Sequence, residues 1–190
     1  MNFDGRNLVK RTLAALCFGG AALLVMAGNL YLFVPGTQIV TDPRELFVTL
    51  GAALTGPLGA VIIGLMAGAH HPIPHFAPVV IAAHVGGALW MNTSYRWLMR
   101  KNLGSLKLLL GWGGLVMVYY FGVLVPLLTA LTFLTPKLDG VIFSAGATLW
   151  QSLGDVASGA VPEALLTTVV TGVMLALLPQ KFKKSASAGD

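Results

Sequence analysis

The stretch TDPRELFVTLGAALTGPLGAVIIGLMAGA, residues 41–69, decides the fold, because it reads either as one long membrane span or as two short ones. It opens with three charges in four residues, Asp42, Arg44 and Glu45, and then carries no charge to its end. A Gly56-Pro57 pair breaks the apolar run. A straight helix needs about 20 apolar residues to cross the hydrocarbon core, with a range of about 17–25, and residues 45–69 are enough for one. Split at Gly56-Pro57, each half has only about 12 residues, short of that range. The rest of the chain settles which reading holds.

Across all 190 residues, 56% of side chains are hydrophobic and only 10% are charged. The mean hydropathy is +0.79. Soluble domains carry about 25% charged residues, so this is an all-α integral membrane protein. It reads as a single membrane domain over residues 1–190, with short cytoplasmic tails at 1–11 and 180–190 and no room for a soluble domain beside it. Residues 12–34, 76–97, 106–134 and about 159–178 are long and apolar enough to span, and 12–34 reads as a retained span rather than a cleaved signal.

Lys and Arg near span ends favour the cytoplasm. Arg6, Lys10 and Arg11 therefore hold the N-terminus inside, Arg96, Arg100, Lys101 and Lys107 hold the middle loop inside, and Lys181, Lys183 and Lys184 hold the C-terminus inside. An even number of crossings must separate Arg11 from Arg96. A straight span over 45–69 makes that number odd, so the block must fold back on itself at Gly56-Pro57, where glycine tolerates unusual dihedrals and proline lacks an amide donor. The same parity makes residues 139–158 an interfacial or partly inserted amphipathic piece on the outer side. The expected architecture is six membrane helices, with a short hairpin as helices 2 and 3 and both termini cytoplasmic.

This topology collects most of the remaining ionisable groups in outer loops at 35–44, 70–75 and 135–158. Asp42 suits the cap of a helix starting near Pro43, and Glu45 complements that helix's N-terminal dipole. Capping leaves Arg44 unexplained, because a cation is unfavourable at a helix N-terminus. Arg44 is thus a candidate for binding an anionic ligand group or for pairing with Asp42. His70, His71 and His75 cluster in AHHPIPHF, with His84 further along. Imidazoles bind zinc, nickel and cobalt, but Pro72 and Pro74 rule out a regular helical pair. A water-facing loop is the plainer reading of these histidines, with His71 and His75 also ligand candidates. Trp150 reads as a headgroup anchor and Gln151 as its neighbour on the outer segment. Glu163, after Pro162, reads as a first-turn residue of the last span. Of the adjacent Tyr119 and Tyr120, at most one is expected to face a pocket, and Tyr120 is taken as that one. Asn92 reads as an interhelical hydrogen bond or a cap.

The segment GTQIVTDPRELFVTLGAALTGPLGAVIIGLMAGAHH resembles a region of LytS-type five-transmembrane sensor domains: Asp-x-Arg, an apolar helix, a Gly-Pro turn and a second Gly-rich helix. The wider superfamily includes the S components of energy-coupling-factor (ECF) vitamin transporters, and PEALLTTVVTGVMLALLP is similar to the last helix of those proteins. The resemblance implies an S-component-like fold that binds a small molecule, a vitamin or related micronutrient, from the outer face. It also implies a membrane coupling subunit with ATPases, for which Ala15 and Gly19 would be helix contacts, and it puts Glu163 toward the ligand cavity. Arg44, Asp42, His71, His75, Tyr120, Trp150, Gln151 and Glu163 are then the candidate ligand-binding residues. The alternative within the resemblance is a LytS-like sensing or signalling subunit with a signalling partner and no transport. No signalling domain follows, which favours a binding subunit. Metal handling through His70, His71 and His75 is the less favoured third reading.

Other classes find no support. There is no HExxH, GxSxG, P-loop or paired-carboxylate motif, so neither catalysis nor a cofactor is expected. The single cysteine, Cys17, excludes an internal disulfide. The net charge of +5 lies in small groups flanking apolar segments, which suits the bilayer rather than nucleic acid. The expected location is the inner membrane of a prokaryote.

Overall fold

The structure, a computed structural model, describes residues 5–30, 32–33, 40–70, 76–101, 103–134 and 148–179. Its helices are α1 (Gly5–Ala27), α2 (Arg44–Ala69), α3 (Ala77–Arg100), α4 (Ser105–Val118), α5 (Val125–Phe133) and α6 (Leu149–Leu177). A π-helical turn, Tyr119–Leu124, joins α4 to α5 without a break. Two short strands, β1 (Leu32–Phe33) and β2 (Val40–Thr41), pair antiparallel between α1 and α2, with Leu32 opposite Thr41. Among the described residues four stretches are long and apolar enough to cross a membrane: Asn7–Ala27, Arg44–Ala69, Ser105–Phe133 and Leu149–Leu177.

Length alone would make Arg44–Ala69 one span, but its contacts show a hairpin. Arg44 Nη1 donates to the Ala67 carbonyl at 3.1 Å, although 23 residues of straight helix would hold them about 34 Å apart. A Cβ built on Gly51 would lie 2.9 Å from Ile63 Cδ1, across the two arms. The turn is at Gly56, whose φ of 86° and ψ of 177° are closed to L side chains, and Pro57 follows it. Replacing Gly56 by alanine should therefore cost about 1–3 kcal/mol, read as a lower melting temperature of the detergent-solubilised protein. An unchanged melting temperature would mean that the turn tolerates a side chain.

Ala52 lies in the last turn before the break, where carbonyls lack helical donors. Asn92 Nδ2 of α3 supplies one at 2.7 Å, the interhelical bond expected of that residue. The hairpin packs between α1 and α3. Its second arm meets α3 backbone to backbone: a Cβ on Gly64 would lie 2.6 Å from Val85 Cα, and one on Gly68 would lie 2.5 Å from Ile81 Cα. On its other side the same arm meets α1, where Ala15 is fully buried beside Gly59 and Gly19 lies against Met66. This corrects the expectation that Ala15 and Gly19 face a partner helix. Two small residues one turn apart serve instead to bring α1 close to the hairpin of its own chain.

The pairings fix the directions of the helices. Arg11 reaches the hairpin tip at Gly56, Leu98 of α3 meets Gly111 of α4, and Trp112 Nε1 donates to Thr171 Oγ1 of α6 at 2.9 Å. The start of α1, the hairpin tip, the end of α3 and the end of α6 thus share one end of the bundle, with Arg11, Arg96, Arg100 and Lys101. Trp97 is exposed there with Lys101 Nζ 5.0 Å from its ring. At the opposite end Trp150 is 77% exposed, the position of an interfacial aromatic anchor.

One boundary is corrected. Residues 149–158 do not form a separate interfacial piece; they are the first turns of α6, which runs unbroken for 29 residues. Thr148 caps it in a reciprocal box with Gln151: Thr148 Oγ1 accepts from Gln151 N at 3.2 Å, and Gln151 Oε1 accepts from Thr148 N at 2.9 Å. That cap starts the helix early despite Asp155 and Pro162. Residues 135–147 lie outside the described residues.

Candidate solute-binding site

Helix lengths set the shape of the site. Each arm of the hairpin is about 12 residues and so about 18 Å long, whereas α6 is about 43 Å. With its tip at the basic end, the hairpin stops well short of the end where α6 begins. The charged opening of α2 therefore lies at depth in the bundle, below the level of Trp150.

At that level Arg44 is held on three sides. Its amide donates to Asp42 Oδ1 at 2.8 Å, its Nη2 pairs with Asp42 Oδ2 at 3.3 Å, and its Nη1 ties to Ala67 across the hairpin. Its Nε lies 3.5 Å from Glu45 Oε1, an ion-pair contact without hydrogen-bond geometry. Asp42 thus takes the capping role expected of it, and Arg44 cross-links the two arms at their open end. Burial raises the Asp42 carboxyl above its ordinary value, with the Arg44 cation working against that rise.

Glu45 is only 1% exposed, and its surroundings were not anticipated from its place in the first helical turn. Its Oε1 meets His84 Nε2 of α3 at 2.7 Å, and its Oε2 accepts from the Tyr119 hydroxyl of the π turn at 2.5 Å. His84 Nδ1 faces the Val80 carbonyl at 2.6 Å. A carbonyl only accepts, so Nδ1 carries a hydrogen. One further proton then lies between Glu45 and His84. Whichever of the two bears it, the pair is neutral overall, which suits a low-dielectric interior.

Tyr120 makes a second junction. Its hydroxyl donates to Glu163 Oε1 of α6 at 3.0 Å and lies 2.9 Å from Thr167 Oγ1. Both tyrosines face inward, against the expectation that one would turn away: Tyr119 is fully buried and Tyr120 is 1% exposed. Adjacent residues on a helix differ by about 100°, so the pair can straddle an inward direction, one ring reaching α2 and the other α6. Their rings meet edge to face at 5.3 Å. Tyr119 also needs Gly87 on α3, where a Cβ would lie 2.7 Å from its ring.

Glu163 is a further correction. It is the fifteenth residue of α6, about 21 Å from the helix start, and so cannot act as a first-turn dipole partner. Its carboxyl meets the buried Tyr120 hydroxyl. Of the remaining candidates, Gln151 is engaged in the cap of α6 and Trp150 faces outward. His70 is exposed at the end of α2. His71 and His75 lie outside the described residues, and so does most of the proposed metal cluster. Among the described residues no group of three or more His, Cys, Asp or Glu is placed to hold a metal ion.

The structure thus brings together Asp42, Arg44, Tyr120 and Glu163 from the sequence candidates and adds Glu45, His84, Tyr119 and Thr167. The additions share one signal that sequence could have offered: ionisable or hydroxyl groups inside otherwise apolar spans.

No family model and no curated protein matches the chain in sequence. Among solved structures, ThiT from Listeria monocytogenes has a similar fold, with a TM-score of 0.58 at 15% identity over 94% of this chain and 97% of that one. The chain therefore has the ThiT-like fold of a multi-pass membrane protein.

Proposed function

We propose that this protein is the solute-binding membrane subunit of an ECF-type uptake system, taking a small molecule such as a vitamin or related micronutrient from the outer face. ThiT is an ECF S component, and the motifs at residues 36–71 and 162–179 point to the same superfamily. The observation that carries the reading is the polar layer formed by Asp42, Arg44, Glu45, His84, Tyr119, Tyr120 and Glu163. It lies at the open end of a hairpin too short to span, and interrupted short helices of this kind mark binding sites in transporters. In this reading the chain has six membrane segments in a prokaryotic inner membrane, the two short arms of the hairpin among them. The basic end, with Arg11, Arg96 and Arg100, faces the cytoplasm, and the open end of the hairpin faces outward. The chain binds the solute without transforming it. Energy comes from a separate coupling subunit with ATPases, since no nucleotide motif is present.

Uptake of labelled vitamins by cells carrying or lacking this chain, with a coupling module present, tests the reading. Uptake should depend on the chain, and solute should co-purify with it. Binding without uptake would favour the LytS-like sensor instead. Neither binding nor uptake would end both readings.

A further inference from the structure

A hydroxyl inside an apolar helix ordinarily finds its partner locally, on the carbonyl four residues back. Thr49, Thr55, Thr132, Thr168 and Thr171 all do so here. Thr129 of α5 and Ser152 of α6 do not. Both are fully buried, and neither hydroxyl has a hydrogen-bond partner among the described residues. A buried hydroxyl left unpaired costs free energy, so two of them call for an explanation. They stand on helices that pack together. The Trp112–Thr171 and Tyr120–Glu163 bonds set those helices antiparallel, in a register that brings Thr129 within about one turn of Ser152. Both lie roughly 15 Å outward of the polar layer, beyond the open end of the hairpin, so neither arm of α2 reaches them. Their surroundings carry no buried charge: Leu128 packs on Phe76, Val79 and Val80 of α3, and Asp155 of α6 is exposed. A charged group placed between them would lack a counter-charge, whereas a neutral acceptor would satisfy both hydroxyls.

We propose that Thr129 and Ser152 form a subsite that donates hydrogen bonds to an uncharged carbonyl on an otherwise apolar part of the bound solute. This rests on the solute-binding reading and names two of its contacts and the chemistry they recognise. The two hydroxyls stay unpaired in the empty protein because their partner arrives with the solute.

The test uses the full chain in lipid nanodiscs with tritiated riboflavin, nicotinamide and biotin, each of which presents an uncharged carbonyl on or beside a ring. At least one should bind the wild type, and Thr129→Val and Ser152→Ala should each weaken that binding about 5-fold, the loss of one neutral hydrogen bond. Thr129→Ser, which keeps the hydroxyl, should bind as the wild type does. Removing an unpaired buried hydroxyl relieves the empty protein, so the ligand-free melting temperatures of Thr129→Val and Ser152→Ala should hold or rise. A lower ligand-free melting temperature in either, or failure to fold, would show that the hydroxyl serves the fold and overturn the assignment. Unchanged probe binding in both would overturn it too, and leave the solute-binding reading intact. Binding of none of the three probes by the wild type would overturn both.

Discussion

Glu45→Ala should destabilise the solubilised protein by about 3–5 kcal/mol, because it removes one member of a buried charged cluster and strands the rest. His84 Nε2, the Tyr119 hydroxyl and Arg44 Nε all face this one carboxylate. With alanine in place, His84 keeps only the Val80 carbonyl, Tyr119 keeps a buried hydroxyl without an acceptor, and Arg44 keeps only Asp42 and Ala67. Neither His84 nor Tyr119 can turn to water, since both are buried. Glu45→Gln should be milder, about 1–3 kcal/mol. Its carbonyl can accept from Tyr119 while its amide donates to His84, which then becomes neutral with its hydrogen on Nδ1. Denaturant titration of the three proteins in one detergent measures the order. If Glu45→Ala and Glu45→Gln are equally close to wild type, the cluster contributes nothing and its role in positioning α2, α3 and the π turn fails with it.

The second large effect is expected at the contact between the hairpin and α3. Gly68→Val places a branched side chain where even a Cβ would sit 2.5 Å from Ile81 Cα, and Gly64→Val does the same 2.6 Å from Val85 Cα. The obstacle is backbone, so no rotamer change relieves it; the helices must separate, and the Asn92 to Ala52 bond and the Glu45 to His84 pair span the same interface. Each substitution should cost about 3 kcal/mol or more, the upper range for overpacking, and leave little monodisperse protein. Gly114→Ala is the control. A Cβ there meets nothing within 4 Å, and alanine in a helix interior gains up to about 1 kcal/mol over glycine. Size-exclusion profiles and melting temperatures of the three variants separate a packing requirement from mere helix propensity. Folded, stable Gly68→Val would show that α2 and α3 are not in backbone contact.

Several features were legible without coordinates. The hairpin followed from charge parity, since three basic clusters and a 25-residue apolar block admit few arrangements, and Gly56-Pro57 named the turn. Asp42 as a cap and Asn92 as an interhelical donor followed from residue type and position. The two junctions at Glu45 and Glu163 did not, for reasons that differ. Glu45 in a first helical turn has a sufficient local explanation in the helix dipole, and nothing in the chain near it signals a histidine 39 residues away. Glu163 after a proline looks like a helix start, because proline usually stands there. Only the Thr148–Gln151 cap, 15 residues before Glu163, moves that start and carries the carboxyl to mid-helix.

The sequence by itself determined that the chain lives in a bilayer, that residues 41–69 double back, and which ends share a side. These follow from composition, span length and charge placement, all properties summed along the chain. Tertiary structure alone decided which buried groups meet: that Ala15 and Gly19 are used inside the chain, that both tyrosines face inward, and that Glu45 meets His84 while Glu163 meets Tyr120. Those outcomes depend on the rotation and register of one helix against another. Both are set by close contacts such as Gly64 on Val85 and Gly87 under Tyr119, which hydropathy and spacing do not record.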